Sequence, residues 1–471
     1  MKTKNLNLIV LLAVLATFAL QSCKKDGALR TGDFNKSSKA PIDYNLLPKV
    51  HLAGVYTGSR TLSPDTLYLL DGVVYFSGSN AKLHIKAGTH VVTGNAVTYA
   101  GRSLKGVLVI AKNAQIFADG NRSNVAESSY NPDSTIVFGP DPALASPTPG
   151  DFGGVILLGN APTNQPTSTV IEGIPTSPPA DVTYGGSSAG DNSGVLRFAR
   201  IEYAGFLLST DNEINGLTLG GVGSGTTLSH IQVSFSNDDS FEFFGGTVNA
   251  DHLIALGGID DDFDFDFGYS GTIQYAIALK NRDGNHTTSG GVSDANGIES
   301  DNNPTSDTTS TSFITRPALS NFTILGYSTG GTGTEADELE NGVHIRRKSG
   351  VNLQNSIVAG YNNGIRFENI KQAGSALQFN LVHGYVTTYL PATGGRPATF
   401  ANNQAFTGSL SPDYLGLAGG SAAFYANGSY DPANLTPVAS PSTDGGTSGS
   451  YNGAIDPSGA IWTDNWTKFN F

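Results

Sequence analysis

The alternation Asp262-Phe-Asp-Phe-Asp-Phe267 limits what this chain can fold into more than any other stretch. Phe263, Phe265 and Phe267 fall on one side of an extended segment, and Asp262, Asp264 and Asp266 on the other. Side chains of a strand point to opposite faces with period two, so this reads as a strand with an apolar face and a carboxylate face. Upstream, Phe241-Glu-Phe-Phe244 repeats the theme: Phe241 to Phe265, Glu242 to Asp266 and Phe243 to Phe267 are each 24 residues apart. Local alternation that recurs every two dozen residues marks successive coils stacked like on like. The expected fold is all-β, a single-stranded right-handed parallel β-helix with phenylalanines stacked inside and an acidic seam outside one wall.

A solenoid can use the whole 471-residue chain as one domain, and 59 glycines with only 14% charged residues argue against a helical protein. The net charge of −13 excludes an ordinary nucleic-acid role, because phosphate backbones attract basic surfaces. It suits bound cations or neutral glycans. The lone cysteine, Cys23, follows a positive region (Lys2, Lys4) and an apolar run from Leu8 to Leu20 that is too short for a comfortable membrane span. Leu20-Gln-Ser-Cys23 resembles a bacterial lipobox, which implies residues 1–22 as signal peptide and lipidation of Cys23. Residues 23–48 then read as a flexible tether and 49–385 as the β-helix. The irregular segment 386–471 reads as a C-terminal cap over the last coil, carrying both tryptophans, Trp462 and Trp466.

A second repeat places Leu five residues before Val or Ile: Leu196/Ile201, Leu228/Val233, Leu319/Ile324, Leu353/Val358 and Leu377/Val382. Its starts are 32, 91, 34 and 24 residues apart, so the longer gaps must hold extra turns or loop excursions. Asn321 and Asn355 share one position of this repeat, where stacked amides could bond along the axis. Excursions are expected at residues 119–150, 163–193, 281–315 and 328–341, which are rich in Ser, Thr, Pro, Gly and Asp.

The chemistry, if any, lies in three acidic clusters: Asp238, Asp239 and Glu242; Asp260, Asp261, Asp262, Asp264 and Asp266; Glu299 and Asp301. Coils about 4.8 Å apart bring these together, and carboxylates so dense either protonate or surround a cation. Ca²⁺, with six to eight oxygen ligands, is the cofactor they suit. Three consecutive aspartates, 260–262, cannot share a strand face and are expected at a turn. Three readings stay open: a solubilising outer face, a Ca²⁺ site, or a catalytic site. Glycosidic hydrolysis needs two carboxyls at defined spacing. Lyase chemistry on a uronic acid needs Ca²⁺ and a base, for which Val343-His-Ile-Arg-Arg-Lys348 is the basic cluster available. Asp262, Asp264 and Arg346 are therefore the catalytic candidates, and Arg346 must lie beside the seam to serve. Alternation sets His344, Arg346 and Lys348 on one face. The remaining histidines show no spacing typical of a metal ligand set.

Asp151-Phe-Gly-Gly-Val-Ile-Leu-Leu-Gly-Asn160, Arg200-Ile-Glu-Tyr-Ala-Gly205, Ile214-Asn-Gly-Leu-Thr-Leu-Gly-Gly-Val-Gly223 and His230-Ile-Gln-Val-Ser-Phe-Ser-Asn-Asp-Asp-Ser-Phe-Glu242 resemble segments of a family of secreted β-helix lipoproteins of Bacteroidota. More broadly they resemble the pectin-lyase-like superfamily. With the lipobox, the expectation is a monomer anchored to the outer membrane by lipid on Cys23 and exposed at the cell surface, the periplasmic face being the alternative. The acidic wall is expected to bind a glycan or another surface ligand without catalysis, bridged by Ca²⁺; a polysaccharide lyase or glycoside hydrolase acting on acidic polysaccharide, and a purely structural cell-surface protein, are the alternatives.

Overall fold

Strand periodicity governs the chain from Lys49 to Thr407, where, among the described residues, short β-strands follow one another without an intervening α-helix. The computed structural model describes residues 43–469 except 100, 176–177, 210–211, 282–283, 290–291, 305–312, 329–338, 409–450 and 460. Cys23, most of the tether and most of the region expected to cover the last coil lie outside these residues.

The strands build three parallel walls. Along the first stand Val107–Ile110, Gly154–Leu158, Leu217–Gly220, Phe241–Phe244, Phe263–Asp266, Ile298–Ser300, Asn341–Ile345, Asn363–Phe367 and Thr387–Leu390, each hydrogen-bonded in parallel to the next. The second and third walls are the two halves of longer strands such as Thr227–Ser234, Ala250–Leu256, Thr272–Leu279 and Ala318–Leu325. Each such strand bends at one residue that leaves the register with positive φ. The series is Phe198, His230, His252, Tyr275 and Asn321, at φ of 50°, 53°, 55°, 61° and 57°. A left-handed residue that is not glycine costs on the order of 1–3 kcal/mol, and ring stacking offsets that cost here. Tyr130–Phe198, Phe198–His230, His230–His252 and His252–Tyr275 have ring centroids 4.8, 4.2, 4.3 and 5.0 Å apart.

The coil is shorter than the Phe and acid pattern suggests. Phe241 pairs with Phe263 and Phe243 with Phe265, a step of 22 residues rather than 24, and Glu242 therefore lies over Asp264, not Asp266. All four phenylalanines are fully buried, with ring centroids 5.1 Å apart in both pairs. Phe267 does not join them. The strand ends at Asp266, Phe267 turns into the left-handed region at φ 51°, and its ring packs outside the wall on Phe244 at 5.4 Å.

The Leu-to-Val/Ile repeat holds in register. The 91-residue gap contains two coils in which Ala250/Ala255 and Ile273/Ala278 take the same places. The described residues of the 163–193 excursion fold back on the outside of the first wall, setting Ile171, Val182 and Tyr184 against Ile156, Leu158 and Phe244.

Two expectations for the C-terminal part need correction. Coils continue past 385: Thr399–Ala401 and Gln404–Thr407 pair with the preceding coil. The tryptophans do not cap an end. Residues 451–459 and 461–469 form a strap that runs back along the side of the solenoid. Asn452 Nδ2 bonds Phe379 O, Ala454 N bonds Thr323 Oγ1, Lys468 N bonds Gln232 Oε1 and Arg200 Nη1 bonds Trp466 O. Trp462, Trp466 and Phe469 cover the outward apolar residues of the third wall, including Ile254, Ile277 and Ile357.

Candidate functional site: the carboxylate wall

Because inward positions of the first wall are filled by Phe, Val and Ile, the alternate positions face out and form columns. One column reads Thr218, Glu242, Asp264, Glu299, His344 and Arg366 in successive coils. The turn before each strand adds Asp238 and Asp239, then Asp260 and Asp261, and the aspartate triple does sit in a bend ahead of Phe263. Carboxylate oxygens from Asp238, Asp239 and Asp260 come within 4.8 Å of one another, as do those of Asp239, Glu242 and Asp264, and those of Asp261, Asp264 and Glu299. Asp294, Glu299 and His344 make a fourth such group.

Loops add acids that no periodic signal marks. Glu172 comes from the 163–193 excursion, Glu213 from the strand Asn212–Glu213, and Asp294 from the 281–315 excursion. The charges of Glu172 and Glu213 act on Asp238, and that of Asp294 acts on Asp260.

Burial first, and mutual repulsion second, push these carboxyls up. Asp260 rises to about 6 and Asp264 to about 8, while Asp238, Asp239, Glu242, Asp261, Asp266 and Glu299 lie well above the ordinary carboxylate range. Glu172, at the open lip of the cluster, reaches about 7 through desolvation and the charge of Glu213. Lys280, Arg346 and Arg347 are the cations that oppose this field.

Asp262 stands apart from the wall. It and Lys280 are both fully buried, with Nζ 3.4 Å from Oδ1, so it belongs to an internal ion pair and not to the outward cluster. Asp266 caps the turn instead, accepting from the backbone N–H of Phe267 at 2.6 Å. Asp301 is held by two arginines: Arg346 Nε at 2.9 Å, and Arg347 Nη1.

Arg346 lies beside the seam, as a catalytic role would require, but both sides of its guanidinium are engaged. Nη2 pairs with Glu299 while Nε pairs with Asp301. Burial works against its charge, and these two carboxylates more than reverse that, holding it above its ordinary value. The alternation expected for residues 344–348 stops at Ile345. Arg347 and Lys348 have φ of 45° and 66°, which lets Arg346 and Arg347 reach the same carboxylate. Stacked amides do occur, though Asn321 and Asn355 do not bond each other: Asn321 Oδ1 accepts from Gln274 Nε2 at 3.4 Å. Asn363 Nδ2 bonds Asn341 Oδ1 at 3.0 Å, and Asn341 Nδ2 bonds Asn296 Oδ1 at 3.1 Å, beside the seam. Asn321 instead donates to the strap at Tyr451 O and Gly453 O.

A pectate-lyase-like β-helix domain model matches residues 54–389, most of the chain and all of the acidic wall. The chain belongs to this family. No curated protein sequence matches it. Among solved structures, the A-module of the mannuronan C-5 epimerase AlgE6 of Azotobacter vinelandii is similar at 12% identity and a TM-score of 0.24, covering 77% of this chain and 91% of that one. That likeness is too slight to carry an argument. For this member of the pectate-lyase-like family, the fold and the wall stand on the geometry above. Among the described residues no helix is long and apolar enough to cross a membrane.

Proposed function

We propose that the protein binds acidic glycan through Ca²⁺ held on the carboxylate wall, without turning the glycan over. The observation that carries this reading is the group Asp261, Asp264 and Glu299. Their oxygens lie within 4.8 Å of one another, and Asp264 Oδ1 is buried yet accepts no hydrogen bond. A divalent ion there would take the place of the protons that burial otherwise imposes, and oxygen-only ligands at this density suit Ca²⁺. Three protein carboxylates would leave a Ca²⁺ ion further coordination positions, which the carboxylates of a polysaccharide would fill. The state of Arg346 favours binding over elimination. A base must give up its proton first, and Glu299 and Asp301 stabilise the protonated guanidinium.

Anchoring at the outer membrane rests on the lipobox-like Leu20-Gln-Ser-Cys23. A mature chain starting at Cys23 would carry acyl chains and present the solenoid at the cell surface, and Cys23→Ala should release it from the membrane fraction.

The test is binding of polygalacturonate and alginate to the full mature chain, with Ca²⁺ and with a chelator, followed by assay for reducing ends and unsaturated products. Binding that needs Ca²⁺, weakens at least tenfold in Asp264→Asn and yields no product supports the proposal. Turnover lost in Asp264→Asn would make the protein an enzyme, and absence of binding to any acidic polymer would leave a structural role.

A further inference from the structure

The outward column of the first wall is not evenly open. Thr218, Glu242, Glu299 and His344 are 2%, 6%, 6% and 3% exposed, while Asp264, midway along the same column, is only half-buried. A groove that took a polymer along the solenoid would leave consecutive outward positions uncovered. Here the opening centres on Asp264 and on Asp238 and Asp260 in the adjoining turns, which are also half-buried, with Glu172 exposed at the rim.

Each closed side has a visible cause. Toward the N-terminal coils, the described residues of the 163–193 excursion cover Ile156, which precedes Thr218 in the column. The same excursion abuts the hairpin that pairs Leu207–Ser209 with Asn212–Glu213. At Gly173, with φ of 69°, an added Cβ would come 2.4 Å from both Glu213 O and Ile214 Cγ1, so excursion and hairpin touch there. Toward the C-terminal coils, His344 Nε2 lies 3.2 Å from Glu368 Oε2, and Arg346 joins Glu299 to Asp301. Beyond the ends of the acidic strands, Asn164 crosses over from the excursion. Its N–H donates to Phe267 O at 2.8 Å and its Nδ2 to Asn302 Oδ1 at 3.1 Å.

One side stays open among the described residues. Hairpins precede the strands Leu217–Gly220 and Ile298–Ser300. The two coils between them reach the wall through the short turns at Asp238–Asp239 and Asp260–Asp261. The mouth lies over these turns, between hairpins three coil steps or about 14 Å apart.

We infer that the carboxylate wall is a blind recess that captures the terminal sugar of an acidic glycan and takes no internal stretch of the polymer. The inference rests on the Ca²⁺-bridged binding proposed above and adds which part of the glycan is recognised. An internal sugar continues in two directions, and a recess closed along the axis and at the strand ends has room for one. A terminal uronate has a single continuation. That continuation leaves through the mouth past Glu172, while the terminal carboxylate reaches the ion beside Asp264.

The experiment uses the full mature chain in excess Ca²⁺, titrated by calorimetry with trigalacturonate and with two longer oligogalacturonates, one twice the length of the other. Trigalacturonate should bind as tightly per molecule as the longer oligomers do. At equal uronate mass, the shorter of the two long oligomers should saturate twice as much protein, because capacity follows chain ends. Asp264→Asn, with its fold shown intact by circular dichroism, should weaken trigalacturonate binding by about tenfold or more. Capacity that follows uronate mass and ignores chain length overturns the inference and leaves the Ca²⁺ reading standing. So does trigalacturonate bound about tenfold more weakly than the longer oligomers, or bound equally well by Asp264→Asn. Absence of binding by all three overturns the Ca²⁺ reading and the inference with it.

Discussion

Replacing Lys280 by methionine, which keeps the length and apolar bulk of the side chain, removes one member of a fully buried ion pair. The wild-type ammonium lies 3.4 Å from Asp262 Oδ1 and also donates to the carbonyl of Asp260. Neither Asp262 oxygen makes a well-formed hydrogen bond, so Lys280 is the carboxylate's main electrostatic support. Removing one partner of such a pair costs about 3–5 kcal/mol, because the other charge is left buried and uncompensated. Loss of the bond to Asp260 O adds about 1 kcal/mol, while uptake of a proton by Asp262 returns part of the total. We therefore expect a loss of about 3 kcal/mol at pH 8. Adding Asp262→Leu should restore at least half of it, since a well-packed apolar pair can replace a buried ion pair. Chemical denaturation of the full mature chain, followed by far-ultraviolet circular dichroism in the presence of chelator, measures both variants. A Lys280→Met protein as stable as wild type, or a double variant no better than the single one, would refute the reasoning.

Other consequences follow from the register. Phe265→Ala should cost about 3–5 kcal/mol because its fully buried ring is stacked between coils, whereas Phe267→Ala, outside the wall, should cost less than half as much. Equal losses on denaturation would contradict the 22-residue coil. Burial, with the charge of Arg200, lowers His90 to about 4, against the influence of Glu202. The unfolded chain then binds a proton that the folded one refuses. Its contribution is full above the ordinary value of 6.5 and is lost as pH falls toward 4. At about 1.4 kcal/mol per pH unit the ceiling is roughly 3 kcal/mol, and partial solvent contact of the ring brings it nearer about 2. His90→Gln should flatten the acid limb of the unfolding free energy plotted against pH by that amount, and an unchanged limb would refute the assignment.

The inward and outward faces of the acidic strand were legible because strand alternation is local. The coil length was misread for the same reason. A Phe-x-Phe segment matches itself at any even offset, so Phe241 aligns as well with Phe265 as with its true partner Phe263. That two-residue error also hid the histidine pair, since His230 and His252 are 22 residues apart. The 91-residue gap in the Leu repeat concealed two full coils because Ala250 and Ile273 are not leucines. Glu172 and Asp294 reach the wall from excursions whose sequence carries no period, and Glu213 from a two-residue strand too short to show one. The strap is likewise a tertiary fact: nothing local in Trp462-Thr-Asp-Asn-Trp466 distinguishes a cover on the last coil from a segment lying along its side.

The central claim is that the outward carboxylates of the first wall exist to hold a divalent cation, and calorimetric titration of Ca²⁺ into the chelator-stripped mature chain measures it directly. The account predicts binding at about 10⁻⁴–10⁻³ M or tighter, weakened at least tenfold in Asp264→Asn and in Glu299→Gln. Absence of Ca²⁺ affinity near millimolar, or affinity indifferent to both substitutions, would contradict it.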